Sequence, residues 1–451
     1  MSNERSGFSS RLGFVLATAG SAVGLGNIWR FPYLAAKYGG GTFLLTYLIL
    51  TLTFGFSLMI TEVALGRKAG TSAIRAFGHF SKKYTFIGYL TTIIPFIIFP
   101  YYCVIGGWVT KYALVSIQGG IHNAASDTFF TGFISKSAEP MICVLVFLIA
   151  TTVVVAGGVK GGVERVSTIM MPVLIVLLIG VSLFCITRPG AMAGVAYYLK
   201  PNLKGFSPTT ILAALGQLFY SMSLAMGIMI TFGSYMPKKA DLEKSVTQVE
   251  IFDTGVAFLA GLMIVPAVFV FSNGDSSMLA KGPSLMFVML PKVFDSMAFS
   301  SVIAAVFFIL VLLAALTSSI SLLETLVAVL MDKFHMKRGI ACITMFIIAL
   351  LLAVPSSLGF GAWSNITILG FDFLDFFDFI SNSVLMPIAA FLTCLFVGYI
   401  IKPKVIVDEV ESSGEFKRKP LFLIMVKYIA PICIVAILVF SVLEGLGFIT
   451  V

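Results

Sequence analysis

Residues 20–33, with the sequence GSAVGLGNIWRFPY, interrupt an apolar run that is otherwise long enough to cross a membrane. About 20 apolar residues in a helix span the hydrocarbon core of a bilayer. Three glycines fall within residues 20–26, and each costs about 1 kcal/mol relative to alanine in a helix. The sequence therefore predicts a first helix that is broken inside the membrane. The alternative is that the glycines only allow close helix packing, but packing does not explain Asn27 and Arg30 just beyond them.

Similar apolar runs recur along the whole chain of 451 residues, of which 59% are hydrophobic and 11% charged. A soluble domain usually carries about 25% charged residues. Open sheets cannot satisfy their edges in lipid, and the runs lack the strict alternation of a barrel strand. We therefore predict an all-α polytopic membrane protein that forms a single transmembrane domain over residues 1–451. The predicted spans cover residues 12–37, 42–66, 86–114, 140–157, 165–187, 208–236, 246–272, 299–331, 338–354, 372–401 and 422–446.

A second interruption lies in the sixth predicted span, where residues 221–227 read SMSLAMG. The first and sixth spans occupy corresponding positions if eleven helices contain two halves of five. Interrupted helices in matching positions of inverted halves indicate a transporter binding site near mid-membrane. The sequence thus predicts a 5+5 inverted-repeat bundle in which helices 1 and 6 are broken.

The net charge of +9 does not indicate a nucleic-acid partner, because the basic residues lie in alternate loops. This distribution is typical of the excess of Lys and Arg in cytoplasmic loops. It predicts a multi-pass protein of the inner (plasma) membrane, with a cytoplasmic N-terminus and an extracytoplasmic C-terminus. The basic groups are Arg5 and Arg11; Arg67, Lys68, Arg75, Lys82 and Lys83; Lys160 and Arg165; Lys238, Lys239 and Lys244; Lys333, Lys337 and Arg338; and Lys402, Lys404, Lys417, Arg418 and Lys419.

The residues that usually carry enzyme chemistry form no recognisable pattern. The six cysteines and three histidines have no disulfide or metal-ligand spacing, and the chain has no phosphate-binding Walker motif. We therefore expect that the protein is not an enzyme and that ATP hydrolysis does not drive it.

We also expect no cleavable signal peptide, because the first apolar run continues into the glycine-rich stretch. A substrate sensor or gated channel is the alternative from another functional class, and a sensor is expected to carry an added signalling domain.

Residues 24–33, GLGNIWRFPY, followed by three glycines at 39–41, resemble the first-helix signature of the neurotransmitter:sodium symporter family. Residues 216–224, GQLFYSMSL, and residues 316–319, LTSS, add to this resemblance, which covers essentially the whole chain. With eleven spans, the chain is most similar to the bacterial branch that handles hydrophobic amino acids. The resemblance implies a secondary symporter that imports an amino acid with two Na+ ions by alternating access. Met226 is flexible, so an aromatic side chain is also compatible.

An unwound helix exposes backbone groups that must face protein, water or ligand. Helix N-termini favour an anion, and freed carbonyls favour a cation, so a zwitterion and a cation fit together at one break. The resemblance assigns the individual positions. The implied substrate contacts are Ala22, Leu25, Gly26, Ile98, Tyr102, Tyr220, Ser221, Ser223, Met226 and Leu322. The implied first sodium site comprises Ala22, Asn27, Ser221 and Asp253. The implied second sodium site comprises Gly20, Val23, Ala314, Thr317 and Ser318.

Asp253 departs from the family pattern, because many members have Asn at this position. A carboxylate within a membrane span is costly and is a functional-site candidate by default. Animal relatives bind chloride nearby, at positions that here hold Tyr47, Gln217, Ser221 and Ala257. We hypothesise that Asp253 supplies the fixed negative charge and makes chloride unnecessary. The alternative is an Asp at the cytoplasmic boundary of the seventh span.

The resemblance also implies two gates. Arg30 and Asp378 match the extracellular pair, and Asp375 lies close enough in sequence to substitute for Asp378. Arg5 and Asp332 match the cytoplasmic pair, with Tyr235 as a bracing hydroxyl.

Two further stretches bear on conformational change. Gly162 and Pro172 have the spacing with which similar proteins unwind the fifth helix, although a simple proline kink is the alternative. Gly282 and Pro283 precede a short apolar run at 284–290 that predicts a folded lid.

Overall fold

The computed structural model describes residues 7–202, 206–272, 284–446 and 448. Within these ranges the chain is helical, with two isolated bridges and no β-strand, as the all-α prediction requires. The helices are named here by the spans they match. They run Arg11–Ala22 and Gly26–Lys37 (first), Gly41–Ala69 (second), Lys82–Ile117 (third), Ala138–Ala156 (fourth), Val159–Ile186 (fifth), Pro208–Ser221 and Ile228–Tyr235 (sixth), Leu242–Phe271 (seventh), Ser300–Phe334 (eighth), Arg338–Leu358 (ninth), Phe373–Ile400 (tenth) and Lys419–Gly445 (eleventh).

Nine of these helices are individually long and apolar enough to cross a membrane, and the two halves of the first span qualify together. The sixth span is divided between two shorter helices. The described residues therefore agree with a broken-helix bundle, while the count of eleven transmembrane spans stays a prediction. Short helices that were not predicted also occur between the spans. They are Ala73–Phe80, Ile121–Ala124, Phe129–Ile134, Ala191–Leu199, Leu290–Asp295 and Lys404–Glu411.

Both predicted helix breaks are present. The halves of the first span meet at an angle of 55°, and the second half opens with a π-helical turn over Gly26–Arg30. In the sixth span, residues 222–227 are not helical, and three of them have left-handed backbone: Ser223 (φ 52°), Ala225 (φ 61°) and Gly227 (φ 73°). Left-handed φ is costly for residues other than glycine and clusters at functional sites.

The stretch from Gly162 to Pro172 is wound in this structure. A π-helical turn over Val159–Glu164 leads directly into the α-helix Arg165–Ile186, which contains Pro172. Unwinding of this segment therefore stays a prediction about another state of the protein.

The segment that follows residues 273–283 is folded against the bundle. Leu285, Met286 and Phe287 are buried, and Phe287 stacks on Phe130 with ring centroids 5.0 Å apart. The Tyr112 hydroxyl donates a hydrogen bond to the Phe287 carbonyl at 2.6 Å. The predicted lid over residues 284–290 is thus ordered, whereas Gly282 and Pro283 lie outside the described residues.

The second and sixth spans approach each other at glycines. A Cβ atom added to Gly66 would lie 1.8 Å from the Ile230 carbonyl oxygen, and one added to Gly233 would lie 2.3 Å from the Val63 oxygen. Backbone atoms cannot rotate out of the way as side chains do. Any side chain at these positions would therefore separate the second span from the inner half of the sixth.

We expect Gly66→Ala to lower the thermal stability of the purified protein, since overpacking costs about 1–3 kcal/mol. Gly180→Ala is the matched control, because an added Cβ there meets no atom within 4 Å. The midpoint of thermal unfolding in detergent checks this prediction. Equal midpoints for the two variants would contradict the close approach.

Candidate functional site

The two helix breaks face each other across one space inside the bundle. The third and eighth spans complete its wall. All ten residues that the sequence predicted as substrate contacts line it: Ala22, Leu25, Gly26, Ile98, Tyr102, Tyr220, Ser221, Ser223, Met226 and Leu322. Ser21, Gly24, Asn27, Ile228 and Ser318 also line it. Residues from four spans, far apart in sequence, are thus brought to one place.

One side of this space carries the buried hydroxyl of Tyr102. The Tyr102 hydroxyl is buried and has no hydrogen-bond partner in the described part of the chain. It lies beside Gly24, where an added Cβ would be 3.4 Å from the hydroxyl oxygen. Buried polar groups are nearly always hydrogen-bonded in folded proteins. A buried hydroxyl without a hydrogen-bond partner, beside an interrupted helix, is suited to bind a polar ligand.

Aliphatic and aromatic side chains form the other side. Ile98, Met226 and Leu322 are buried and contribute only hydrocarbon and thioether atoms. Tyr220 lies over Gly26, where an added Cβ would meet the tyrosine ring at 2.5 Å. The space therefore offers a polar end and an apolar end, as a zwitterion with a hydrophobic side chain requires.

Asp253 lies at the centre of a buried hydrogen-bond network and not at the cytoplasmic boundary. It is 0% exposed and lies in the middle of the seventh span. Its carboxylate accepts hydrogen bonds from the Asn27 amide at 2.7 Å, the Ser221 hydroxyl at 2.9 Å and the Tyr47 hydroxyl at 3.3 Å. Asn27 in turn accepts from the Gly24 amide at 3.1 Å. The structure brings together the predicted Asn27, Ser221 and Asp253.

A second cluster of oxygen atoms lies between the first and eighth spans. The Ser318 hydroxyl is 3.5 Å from the Gly20 carbonyl oxygen, 3.1 Å from that of Ser21 and 3.4 Å from that of Val23. The Thr317 hydroxyl donates to the Ala314 carbonyl at 3.1 Å, the back-bonded geometry common for a helix hydroxyl. The carbonyls of Gly20 and Val23, two predicted members of the second sodium site, therefore lie beside the hydroxyl of a third, Ser318.

Glu62 is a site residue that the sequence analysis did not single out. It lies in the second span, is 3% exposed, and accepts a hydrogen bond from the Ala225 amide in the second break at 2.7 Å. Its other carboxylate oxygen is buried and has no partner in the described part of the chain. The available signal was a carboxylate inside a predicted apolar span, which is by itself a functional-site indication.

The predicted extracellular gate residues share one vestibule but do not form an ion pair in this structure. The vestibule is lined in part by Arg30, Tyr220, Asp375 and Asp378. The Arg30 guanidinium lies 5.4 Å from the centroid of the Tyr220 ring. Asp378 instead accepts from the Tyr101 hydroxyl at 3.1 Å and the Asn382 amide at 2.6 Å. Tyr220 also lines the inner space, so its ring lies between the vestibule and that space.

The opposite end of the bundle is joined by hydrogen bonds and buried ion pairs. Asp332 accepts from the Ser72 amide at 2.7 Å and from its hydroxyl at 2.6 Å. The predicted brace Tyr235 donates to Glu324 at 2.8 Å, and Glu324 also pairs with Arg338. The Glu324–Arg338 pair was not predicted. Arg5, the predicted partner of Asp332, lies outside the described residues.

The chain is similar to known proteins along nearly its whole length. A family model described as "Sodium:neurotransmitter symporter family" matches residues 5–132 and 128–446. An uncharacterised sodium-dependent transporter of Bacillus subtilis, YhdH, is 35% identical over 437 residues, which cover 95% of this chain and 96% of that protein. The human sodium- and chloride-dependent GABA transporter 2 is 25% identical over 502 residues, covering 98% of this chain and 80% of that one.

A solved structure is also similar throughout. The crystal structure of MhsT in complex with L-phenylalanine superposes with a TM-score of 0.87 at 39% sequence identity. The similarity covers 97% of this chain and 100% of the MhsT chain. The broken-helix bundle described above is therefore an observed fold.

We expect Glu62→Ala to destabilise the protein by about 1–3 kcal/mol, because the Ala225 amide would lose its buried acceptor. Glu62→Gln is the matched variant, since its side-chain oxygen can still accept that hydrogen bond. Thermal unfolding in detergent separates the two. Glu62→Ala as stable as Glu62→Gln would show that the contact does not support the break.

Proposed function

Because the chain belongs to the sodium:neurotransmitter symporter family, we propose that it imports a hydrophobic or aromatic amino acid together with two Na+ ions. The family is one of transporters and not of enzymes. Transport proceeds by alternating access, in which the space between the helix breaks opens first to one side of the membrane and then to the other.

The observation that carries this proposal is the meeting of two helix breaks around one space. Broken helices place positive amide ends and freed carbonyls at membrane depth, where they suit an anionic group and a cation. The Tyr102 hydroxyl, which is buried and has no hydrogen-bond partner in the described part of the chain, lines the same space. In our proposal, Tyr102 and the Leu25 and Gly26 amides hold the substrate carboxylate. Carbonyls of the sixth-span break, at Tyr220, Ser221 and Ser223, receive its ammonium group.

The side-chain pocket supports a hydrophobic or aromatic substrate. Ile98, Tyr220, Met226 and Leu322 would surround the side chain with apolar surface. Met226 has several rotamers of similar energy and adapts to ligands of different size. L-Phenylalanine is the molecule bound in the similar MhsT structure. Both observations favour substrates that include aromatic amino acids.

We assign the first Na+ to the Ala22 carbonyl, Asn27, Ser221 and Asp253. The contacts of Asp253 with Asn27 and Ser221 support this assignment. We assign the second Na+ to the carbonyls of Gly20, Val23 and Ala314 and the hydroxyls of Thr317 and Ser318. The convergence of three backbone oxygens on the Ser318 hydroxyl supports that assignment.

We further propose that Asp253 replaces chloride. Its carboxylate contacts Tyr47 and Ser221, two of the positions at which animal relatives bind chloride. A fixed charge there balances the cation without an added anion. Arg30 with Asp378 would close the extracellular side, and Asp332 with Arg5 and Tyr235 the cytoplasmic side. Sodium favours one arrangement of these gates only through its higher affinity for that arrangement.

The test is uptake into proteoliposomes of a panel of labelled amino acids, driven by a sodium gradient. We expect accumulation of hydrophobic or aromatic amino acids, which stops when sodium is replaced by choline. Tyr102→Phe should raise the half-saturating substrate concentration roughly ten- to a hundredfold, because a hydrogen bond to a charged group contributes about 1.5–3 kcal/mol.

Tyr198→Phe is the control for Tyr102→Phe, since its hydroxyl bonds the Phe258 carbonyl away from the site. Substrate binding without net accumulation would favour a sensor and contradict the symporter. Accumulation that persists in choline would contradict sodium coupling.

Replacement of chloride by gluconate should leave the uptake rate of the wild-type protein unchanged. Asp253→Asn should lower uptake about tenfold or more, which corresponds to about 1.4 kcal/mol of sodium binding, and chloride should partly restore it. Asp295→Asn, whose carboxylate lies beside exposed His122, is the control. A large loss of wild-type uptake in gluconate would refute the chloride hypothesis.

A further inference from the structure

The start of the eleventh span, the end of the tenth and the short helix Lys404–Glu411 surround a basic pocket that is open at the surface. We propose that this pocket binds the phosphate headgroup of an anionic phospholipid. The pocket is lined by Lys402, Pro403, Lys404, Val407, Asp408, Glu411, Lys419, Leu423 and Lys427. The proposal does not depend on the transported substrate.

Lys427 is the residue that most requires an anion. It is half-buried in a π-helical turn over Met425–Ile429, eight residues into the eleventh span, which is about 12 Å along a helix. Its ammonium group has no hydrogen-bond or carboxylate partner in the part of the chain that the structure describes. A cation within an apolar span needs a counter-ion or access to the interface.

The shape of the neighbouring helix directs Lys427 into the pocket. Its stem crosses the tenth span at Gly398, where an added Cβ would lie 3.8 Å from the Lys427 Cγ atom. The Tyr399 hydroxyl donates to the Lys427 carbonyl at 2.7 Å and fixes this crossing. Both spans have π-helical turns here, over Phe396–Ile400 and Met425–Ile429. Such turns are frequent at functional sites.

The charges of the pocket leave an excess of two positive charges. Four lysines face two carboxylates, Asp408 and Glu411. Glu411 is paired with Lys419 at 2.8 Å. The cations that remain are Lys402, Lys404 and Lys427. With the carboxylate of Asp408 they give a net charge of +2 around one pocket. Lysines grouped around one pocket can bind a phosphate group together, whereas lysines scattered over a surface cannot.

The surface beside the pocket is apolar and identifies the ligand as a lipid. Ile400, Ile424 and Tyr428 are exposed side chains of the tenth and eleventh spans. They continue the surface of membrane-spanning helices directly beside the lysines. A phospholipid with its phosphate on Lys427 would lay its acyl chains on these residues, whereas inorganic phosphate would leave them uncovered.

The experiment measures binding of phosphatidylglycerol to the purified full-length protein in detergent by native mass spectrometry. We expect Lys427→Met to weaken binding roughly fivefold, since one lysine at a membrane surface contributes about that factor in affinity for anionic lipid. Lys427→Arg should retain binding, and Asp408→Asn should strengthen it. Retained binding by the arginine variant would show that charge, and not packing of the stem, is responsible.

Lys337→Met is the matched control, because Lys337 belongs to another basic loop and does not line the pocket. It should bind phosphatidylglycerol as the wild type does. Equal binding by the wild type and Lys427→Met would overturn the proposal, as would equal loss in Lys337→Met. Equal binding of phosphatidylcholine, or full competition by inorganic phosphate, would overturn it as well.

Discussion

The interior of a membrane supplies no water to backbone groups that a helix leaves unpaired, and this constraint explains most of the side chains around the two breaks. The Ala225 amide is satisfied by Glu62 and the Gly24 amide by Asn27. The Gly26 carbonyl accepts from Gln217 at 3.0 Å. The break in the sixth span therefore has a polar partner from the second span. The break in the first span has polar partners from the sixth span and from the first span itself.

This dependence extends from hydrogen bonds to packing. Gly66 and Gly233 let the second and sixth spans approach at backbone distance, and Glu62 in the second span contacts the sixth-span break. Ser223 and Ala225 adopt a left-handed backbone conformation, which is costly for residues other than glycine. This strained backbone persists only where the packing and hydrogen bonds around it hold it in place. The close packing, the strained backbone and the carboxylate thus form one structure that holds the break open toward the inner space.

The sequence allowed prediction of features that are local or carried by a family signature. Hydropathy located the helices, because bilayer thickness fixes their length. Glycine and serine runs located both breaks, and the family resemblance along the whole chain indicated the ten residues that line the inner space. Glu62 and the Glu324–Arg338 pair were missed, because their partners lie 163 and 14 residues away and depend on how the helices pack. The left-handed φ at Ser223 and Ala225 has no local signal, since neither residue type favours it.

The two ends of the bundle differ in a way that bears on alternating access. At the Arg30 end the opposite charges share a vestibule without pairing, and Tyr220 lines both that vestibule and the inner space. At the other end, Phe8 packs on Phe14, Phe232 and Tyr235, and its amide bonds the Tyr235 carbonyl at 3.0 Å. A hydrated ion pair contributes little to stability, whereas breaking a buried ion pair costs several kcal/mol. In the proposed alternating-access cycle, opening the Phe8 end would therefore require free energy that closing the Arg30 end helps to supply. In the proposed mechanism, a substrate that draws Tyr220 and Arg30 together would provide this free energy, and so would couple binding in the inner space to both ends of the bundle.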